Sequence, residues 1–486
     1  MNVPGFEPSE PGHLQKKGGV FMNEQLRRDA EGIVRAAIAS VLPDRAVERA
    51  LAGMEFPGRV FLVAAGKAAW QMSRAAVECM KTPIAGGVCV TKYDHVQGAI
   101  PGIICVEAGH PVPDENSFRG TAQVLELTKD LCETDTVLFL LSGGGSALFE
   151  KPLIDGAELQ DITNQLLASG ADIVRINTIR KRLSAVKGGK FARWCAPARG
   201  EAVVLSDILG DPLDMIASGP AAPDSSTCED ALAIAKEYGL RMSQRAWECL
   251  HEETPKALSN VHTQVIGSVR QLCAAAEAEC KRLGYETVFL TDRLDCEARE
   301  AGRFLASILR SHAESGRKLA FLAGGETVVH LTGRGLGGRN QELALAAAEG
   351  LSGLNACVIS VGSDGTDGPT DAAGGYADGD TLRELEAKGL HLSEVLKDND
   401  AYHALKAVDG LIVTGPTGTN VNDVAVGLIN AECKIVHLIS TIYKSIRSLP
   451  KSRKWADTSF ILHFALCILH FSLAGACSVC AVAHQT

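Results

Sequence analysis

The 486-residue chain lacks an excess of positive charge. Its 48 lysines and arginines are outnumbered by 58 aspartates and glutamates, which gives a net charge of −10 at pH 7. Proteins that bind nucleic acid usually present a basic surface to the phosphate backbone. The charge balance therefore argues against a nucleic acid as a partner.

A secretion signal and a disulfide framework are also missing. The N-terminal stretch "MNVPGFEPSEPGHLQKKGG" is polar and proline-rich without an apolar core, so we expect residues 1–21 to form a disordered leader. The 15 cysteines lie in apolar runs such as "GVCVT" and "IICVEAG", which is typical of reduced cysteines in a protein core. Cys477 and Cys480 form a Cys-x-x-Cys pair without a second pair at zinc-binding spacing. These features predict a cytoplasmic protein.

The standard nucleotide-binding fingerprints are absent as well. The stretch "SGGGSA", residues 142–147, does not match the P-loop pattern. No G-x-G-x-x-G is followed by an acidic residue about twenty positions later. Glycines behind a buried strand can form a tight turn, or they can let backbone N–H groups converge on an anion. The stretch itself leaves both interpretations open.

What the sequence does contain, between residues 22 and about 430, is an alternation of helical patterns with short runs of Val, Ile and Leu. This pattern is typical of an α/β protein with mainly parallel strands. The predicted strands are "RVFLVAAG", "AGGVCVTK", "IICVEAG", "TVLFLLSGG", "EAVVLSD", "ETVFLTD", "KLAFLAGGE", "ACVISVGSDG" and "GLIVTG". Nearly all end in Gly, Ser, Thr or Asp, and ligands of such sheets collect at the carboxyl ends of the strands. A boundary near residue 258 divides the chain into domains 22–258 and 259–430.

Two cations open predicted helices, where the helix dipole disfavours positive charge unless an anion is near. Lys67 follows the strand "RVFLVAAG", and Arg339 precedes an alanine-rich helix. The planar fork of arginine suits a carboxylate or a phosphate. A solvated surface lysine is the alternative for Lys67. A third group of cations lies in "INTIRKRLSAVKGGKFA", which is either a solvated helix or a surface that faces an anion.

Carboxylates follow two of the predicted strands. Asp207 ends the strand "EAVVLSD", while Asp364 and Asp367 lie in a glycine-rich loop. Mg²⁺ is commonly held by one or two carboxylates together with phosphate oxygens and waters. Aspartate is also a frequent turn residue, so turn formation is the alternative.

Several longer motifs follow one another along the chain. They are "EAGHPVPDENS", "LLSGGGSALFEKP", "INTIRKRLSAVKGGKFA", "LSDILGDPLDMIASGP", "GGETVVHLTGRGLGGRNQELALAAA", "GSDGTDGPTDAAGG" and "TGPTGTNVND". Together they resemble the class II glycerate 2-kinases, whose C-terminal part is the MOFRL domain, over roughly residues 28 to 428. The resemblance implies transfer of the γ-phosphoryl group of ATP to the 2-hydroxyl of D-glycerate, assisted by Mg²⁺. It also implies a cleft between an N-terminal Rossmann-like parallel sheet and a smaller C-terminal α/β (MOFRL) domain.

The resemblance and the residue patterns together lead to a set of candidate site residues. The catalytic candidates are Lys67, Arg339 and Asp207; the nucleotide and phosphate ligands are Ser142, Gly143, Gly144, Gly145, Ser146 and Lys187; the substrate ligands are Arg180, Asn340 and Asp364; and the metal ligands are Asp207 and Asp367. In this assignment "SGGGSA" lets the backbone approach the nucleotide phosphates at a helix N-terminus.

Two other functions are weighed against a kinase. Some relatives carry the name hydroxypyruvate reductase, an activity that uses NAD(P)H and needs a dinucleotide fold. A membrane-tethered binding protein rests only on residues 459–483, 25 residues without an acid, Lys or Arg. We expect residues 431–486 to be a frameshifted or fused terminus outside the fold, with a membrane anchor as the alternative. A homodimer is a hypothesis that the sequence does not test.

Overall fold

Two six-stranded β-sheets organise the chain. A computed structural model describes residues 20–430, with side chains from residue 24 onward. The predicted tail, its apolar segment 459–483, and the leader up to residue 19 lie outside the described residues. Among the helices of the described part, none is long and apolar enough to cross a membrane. The cysteines of this part are all free, and most are buried, as predicted.

The first sheet is entirely parallel and has the strand order β3-β2-β1-β4-β5-β6. Its strands are β1 Val60–Ala65, β2 Ile84–Lys92, β3 Ile103–Ala108, β4 Thr136–Leu141, β5 Arg199–Leu205 and β6 Val261–Gly267. The central strands β1 and β4 are buried at every position, because helices cover both faces of a parallel sheet. The chain winds outward in both directions from these two strands. This doubly wound order confirms the predicted Rossmann-like sheet.

Before the second sheet the chain forms a series of α-helices, not all of which pack on the first sheet. They are α1 Val20–Ser40, α2 Pro43–Leu51, α3 Ala69–Cys79, α4 Glu115–Leu127, α5 Gly145–Leu148, α6 Gly156–Ala168, α7 Ile173–Leu183, α8 Lys190–Trp194, α9 Cys228–Glu237, α10 Gln244–Leu250 and α11 Val269–Arg282. Side chains cap several of them: Asp114 and Thr227 each form a capping box, at α4 and α9.

The second sheet has the order β11-β10-β9-β12-β8-β7. Its strands are β7 Glu286–Leu294, β8 Lys318–Gly325, β9 Ala356–Gly362, β10 Gly374–Asp378, β11 Leu411–Ile412 and β12 Asp423–Asn430. The accompanying helices are α12 Ala298–Ser311, α13 Arg339–Leu351, α14 Thr381–Ala387, α15 Leu392–Lys397 and α16 Ala401–Ala407. Only β7 and β8 pair in parallel. The prediction of mainly parallel strands is therefore wrong for this sheet, because β12 inserts between β8 and β9 and runs against both.

The two halves of the chain exchange elements near the predicted domain limits. Strand β6 lies beyond residue 258 but completes the first sheet. Helix α1, which precedes the first sheet, packs with α11 on the second sheet. Asp29 of α1 accepts hydrogen bonds from Tyr285 (2.8 Å) and Gln25 (2.6 Å). The domain limits 22–258 and 259–430 stay a prediction. In the structure, α1 packs with the second sheet and β6 belongs to the first.

The cation-rich segment 176–192 is neither a solvated helix nor an anion-facing surface. Lys181 is 2% exposed and lies between Asp224 (2.9 Å) and Asp214 (3.2 Å). Arg182 is fully buried and donates to the hydroxyl and carbonyl oxygens of Ser226, both at 3.0 Å. Buried charges need such partners, since desolvation otherwise disfavours them. These cations are internal supports of the fold.

Removing the ammonium group of Lys181 should therefore destabilise the protein. The change Lys181→Met leaves Asp224 buried with its strongest partner gone, so we expect the free energy of unfolding to fall by about 3 kcal/mol. Chemical denaturation measures this loss. The control Lys236→Met, at an exposed position of α9, should change it by less than about 0.5 kcal/mol. Equal effects of the two changes would contradict a structural role for the buried pair.

Candidate active site

The turns that follow β1 and β4 are joined at the point where the strand order reverses. The backbone N–H of Lys67 donates to the Gly143 carbonyl oxygen (2.8 Å), and the N–H of Ala68 donates to the Ser142 hydroxyl (3.0 Å). Gly66 has a φ of 133°, and a Cβ on it would lie 2.2 Å from the Ser142 Oγ. Only glycine permits this approach. Lys67 and the glycine loop are therefore fixed at one edge of the sheet, where ligands of doubly wound folds bind.

Because the loop residues Gly143 and Gly144 have no side chains, other side chains of the protein can pack closely against their backbone. A Cβ on Gly143 would lie 2.2 Å from an oxygen of Asp207. A Cβ on Gly144, whose φ is 85°, would lie 3.0 Å from the His110 ring and 3.2 Å from Cγ of Lys67. The bare backbone of "GGG" thus brings a carboxylate, an imidazole and a lysine around one short turn. Helix α5, which follows this turn, has only four residues.

Asp207 follows the end of β5, and its carboxyl group interacts electrostatically with residues of both halves of the chain. Burial raises the pKa of its carboxyl group, the nearby Lys67 opposes this shift, and Glu326 adds to it. Glu326 follows β8 of the second sheet. The predicted catalytic pair Lys67 and Asp207 is thus brought together, and a carboxylate from the other half lies near it.

His110 also lies at this turn, beside Gly144, although no role was predicted for it. Burial, together with the neighbouring Lys67, Lys92 and His95, lowers the pKa of His110 to about 4. The imidazole is therefore neutral at pH 7, so that one ring nitrogen can accept a hydrogen bond. Its motif, "EAGHPVPDENS", was the available signal, but only the fold brings it to the turn after β4.

Arg339 meets an anion, as predicted, but the anion is part of the protein. Its guanidinium donates to both oxygens of Asp423, at 2.5 and 3.1 Å, and to Glu326 at 2.8 Å. Burial raises the pKa of Asp423 to about 6, while Arg339 acts in the opposite direction. The fork of Arg339 is thus occupied by carboxylates from the ends of β8 and β12.

Two other predicted ligands have structural roles. Both oxygens of Asp367 accept backbone N–H groups at the start of α13, from Asn340 (3.1 Å) and Gln341 (2.8 Å). Asn340 is 1% exposed, and its side-chain oxygen accepts from the Ser360 hydroxyl (2.6 Å). Asp367 as a metal ligand and Asn340 as a substrate ligand stay predictions, and in the structure both side chains are buried and hydrogen-bonded within the protein.

Three more candidates lie at or behind the glycine loop. Ser146 shares a hydrogen bond with the Ser218 hydroxyl (2.9 Å), and Arg180 donates to the Ser146 carbonyl oxygen (2.8 Å). Lys187 is fully buried, 3.0 Å from a carboxylate oxygen of Glu150. Burial lowers the pKa of Lys187 to about 8. The predictions of Lys187 as a phosphate ligand and Arg180 as a substrate ligand are not supported by these positions, because both cations support the loop from inside.

Two adjacent cavities open at the cleft between the halves. The smaller, of about 480 Å³, is lined from the first half by Lys67, Lys92, His95, Ser142 and Gly143, and from the second by Asp364, Thr366, Gly418, Thr419 and Asn420, among others. The larger, of about 760 Å³, lies beside residues 327–339. Asp364 and Thr366 line both cavities. A cleft between the two halves was predicted, and Asp364, a predicted substrate ligand, is among the residues that line it.

The fold is that of a doubly wound α/β protein, with a crevice at the reversal point of the first sheet where Lys67 and Lys92 are suited to a small anionic ligand. Residues 29–251 match a domain of unknown function (DUF4147), and residues 319–423 match the MOFRL family. The chain is 53% identical over 417 residues to a D-glycerate 2-kinase of Thermotoga maritima, a match covering 84% of this chain and 100% of the relative. It therefore belongs to the MOFRL-domain glycerate 2-kinase family.

A solved structure and a differently named relative complete the comparison. The crystal structure of a glycerate kinase from Thermotoga maritima superimposes with a TM-score of 0.81 at 53% identity, covering 84% of this chain and 100% of that one. A putative hydroxypyruvate reductase of Agrobacterium vitis is 39% identical over 430 residues, which cover 84% of this chain and 95% of the relative.

The Arg339–Asp423 pair can be tested by a double-mutant cycle with Arg339→Lys and Asp423→Asn. Because the fork holds both oxygens of one carboxylate, we expect a coupling of about 1 kcal/mol or more in the free energy of unfolding. The exposed pair Arg303 and Glu300 of α12, treated in the same way, should give less than about 0.5 kcal/mol. Additive effects at Arg339 and Asp423 would show that the fork is not committed to Asp423.

Proposed function

We propose that the protein is a D-glycerate 2-kinase, which transfers the γ-phosphoryl group of ATP to the 2-hydroxyl of D-glycerate. The observation that carries this proposal is the meeting of Lys67, the glycine loop and Asp207 at the reversal point of the first sheet. Phosphoryl transfer needs chiefly positioning and charge stabilisation, and these groups supply both. The 53% identity to a D-glycerate 2-kinase supports the same reaction.

Lys67 is the group that we assign to the transferred phosphoryl. Its ammonium group forms no salt bridge or hydrogen bond with a side chain of residues 24–430, and its side chain lines the smaller cavity. A lysine acts as a point charge that can follow a moving phosphoryl group. The turn that carries Lys67 is hydrogen-bonded to the glycine loop through the backbone N–H groups of Lys67 and Ala68, which donate to Gly143 and Ser142. The loop can therefore meet the phosphates without rearrangement.

Asp207 fits the role of magnesium ligand. Within the described residues no cluster of three or more His, Cys, Asp and Glu side chains has the geometry of a metal site. Mg²⁺ in kinases relies on one or two carboxylates together with substrate phosphates, and Asp207 lies against the glycine loop that we assign to those phosphates. When bound, the ion would neutralise phosphate charge. Asp207 would hold it, and Lys67 opposes the rise that burial causes in the pKa of this carboxyl group.

A reductase is the alternative, favoured by the name of the Agrobacterium vitis relative. Reductases that use NAD(P)H on a doubly wound sheet bind the pyrophosphate through a G-x-G-x-x-G turn after the first strand. Here that turn reads "AAGKAAW", and it is bonded to the neighbouring turn after β4. The local structure therefore favours the kinase. A cytoplasmic location and a homodimer belong to the proposal as hypotheses.

The decisive assay supplies purified protein either with D-glycerate, ATP and Mg²⁺ or with hydroxypyruvate and NAD(P)H. We expect ADP and 2-phosphoglycerate to form and NAD(P)H to remain. Lys67→Ala should lower kcat on the order of a hundredfold with little change in the KM for glycerate, because Lys67 acts mainly on the transition state. The control Lys236→Ala, at an exposed site, should behave as wild type.

The same assay identifies the failures. Oxidation of NAD(P)H without consumption of ATP would replace the kinase by the reductase. If Lys67→Ala raised only a KM, the lysine would bind a substrate in its ground state, and the assignment to the transition state would be wrong.

A further inference from the structure

The larger of the two cavities is lined entirely by the second half of the chain, whereas Lys67 and the glycine loop line the smaller one. Its volume of about 760 Å³ is within the range of small-molecule sites. It is lined by residues of the segment 327–339, of the loop 364–369, and by Asn399 and Ala401. Its size exceeds what the three-carbon acid glycerate would need.

Two apolar side chains open onto this cavity. Leu331 is 78% exposed and Val328 is 57% exposed, although most aliphatic side chains of the described part are buried. Covering such side chains with a flat apolar ligand is favourable, because it removes apolar surface from water. The cavity is therefore suited to an aromatic ring system.

The wall that carries Leu331 is rigid. Asn399 accepts hydrogen bonds from the N–H groups of Thr332 (2.8 Å) and Gly333 (2.9 Å), and Gly335 donates to the Asp398 carbonyl oxygen (2.8 Å). A Cβ on Gly333 would lie 2.3 Å from Cα of Asp398, so the glycine allows this close packing. A preformed wall lowers the entropy lost when a ligand binds.

The charges around the two cavities differ. Lys67, Lys92 and His95 line the smaller one, which suits phosphate and carboxylate groups. The larger one is lined by three acidic residues, Glu342, Asp364 and Asp367, and by one cation, Arg339. Because the guanidinium of Arg339 already holds Asp423 and Glu326, the acidic groups prevail and disfavour an anion. A neutral nucleoside fits the larger cavity better than glycerate or a polyphosphate does.

We propose that the larger cavity binds the adenosine part of ATP, with Leu331 and Val328 against the base. The inference rests on the proposed kinase function. Because Asp364 and Thr366 line both cavities, a ligand can extend from one into the other. The triphosphate then runs past Asp364 toward Lys67, and glycerate shares the smaller cavity with the γ-phosphoryl group.

The test uses the two halves of ATP as separate inhibitors of the kinase reaction: adenosine and inorganic tripolyphosphate. Leu331→Ala and Val328→Ala should each raise the inhibition constant of adenosine on the order of fivefold or more and leave that of tripolyphosphate within about twofold. Lys92→Ala, which alters the lining of the smaller cavity, should do the reverse. Phe304→Ala, an exposed residue of α12 outside both cavities, is the matched control and should change neither constant.

A third cavity, of about 370 Å³, provides the competing site for the nucleoside. It adjoins the smaller cavity and is lined in part by Arg74 and Pro416. Weaker adenosine inhibition in Arg74→Ala, with Leu331→Ala and Val328→Ala unchanged, would overturn the inference. Failure of adenosine to inhibit the wild type would overturn it too. Turnover of ATP and glycerate by the wild type, recorded in the same experiment, shows separately whether the proposed function holds.

Discussion

The contact between the turns after β1 and β4 is the constraint on which the site depends. Gly66 must approach Ser142 so closely that no Cβ fits between them. Because the two strands are neighbours in a parallel sheet, their carboxyl ends meet at one edge, and the hydrogen bonds of Lys67 and Ala68 then lock the turns together. The position of Lys67 relative to the glycine loop is thus determined by backbone geometry and does not require the lysine side chain to be held.

The second half contributes carboxylates, and their burial acts against stability at neutral pH. Asp423 has a folded pKa of about 6 against an ordinary value of 3.8, so the folded state binds its proton more tightly than the unfolded chain does. Its contribution to stability is favourable at low pH and is lost as the pH rises through about 6. Strained electrostatics of this kind are typical of functional sites, where charges serve a ligand. Arg339 offsets part of this effect by holding both oxygens.

Sequence patterns predicted the elements that are decided locally. The apolar runs of β1, β4 and β5 were predicted as strands. Because the carboxyl ends of such strands meet at one edge of a sheet, Lys67, the glycine loop and Asp207 could be expected to lie close together, as they do. Local sequence patterns did not predict the role of a residue where that role depends on a partner far away in the sequence. Lys187 and Lys181 looked available for an anion, but Glu150 and Asp224, each more than thirty positions away, neutralise them inside the core. Asp367 caps a helix by accepting the N–H of Asn340, which lies 27 positions before it.

The same limit explains the second sheet and His110. Strand β10 opens on two glycines, and β12 directly follows a glycine- and asparagine-rich loop although it contains the apolar run "VAVGLI"; neither is among the predicted strands. The position of β12 between β8 and β9 is a property of the whole sheet. His110 lies in a motif without a recognisable role, and only the path of the chain places its ring against Gly144.

The central claim is that both halves of the chain form one site for ATP and glycerate. Hydrogen exchange followed by mass spectrometry, with and without a non-hydrolysable ATP analogue and D-glycerate, tests it directly. The account predicts slower amide exchange, with both ligands bound, in the glycine loop 142–146 of the first half and in the loop 364–369 of the second. Protection confined to one half, with exchange in the other unchanged, would contradict it.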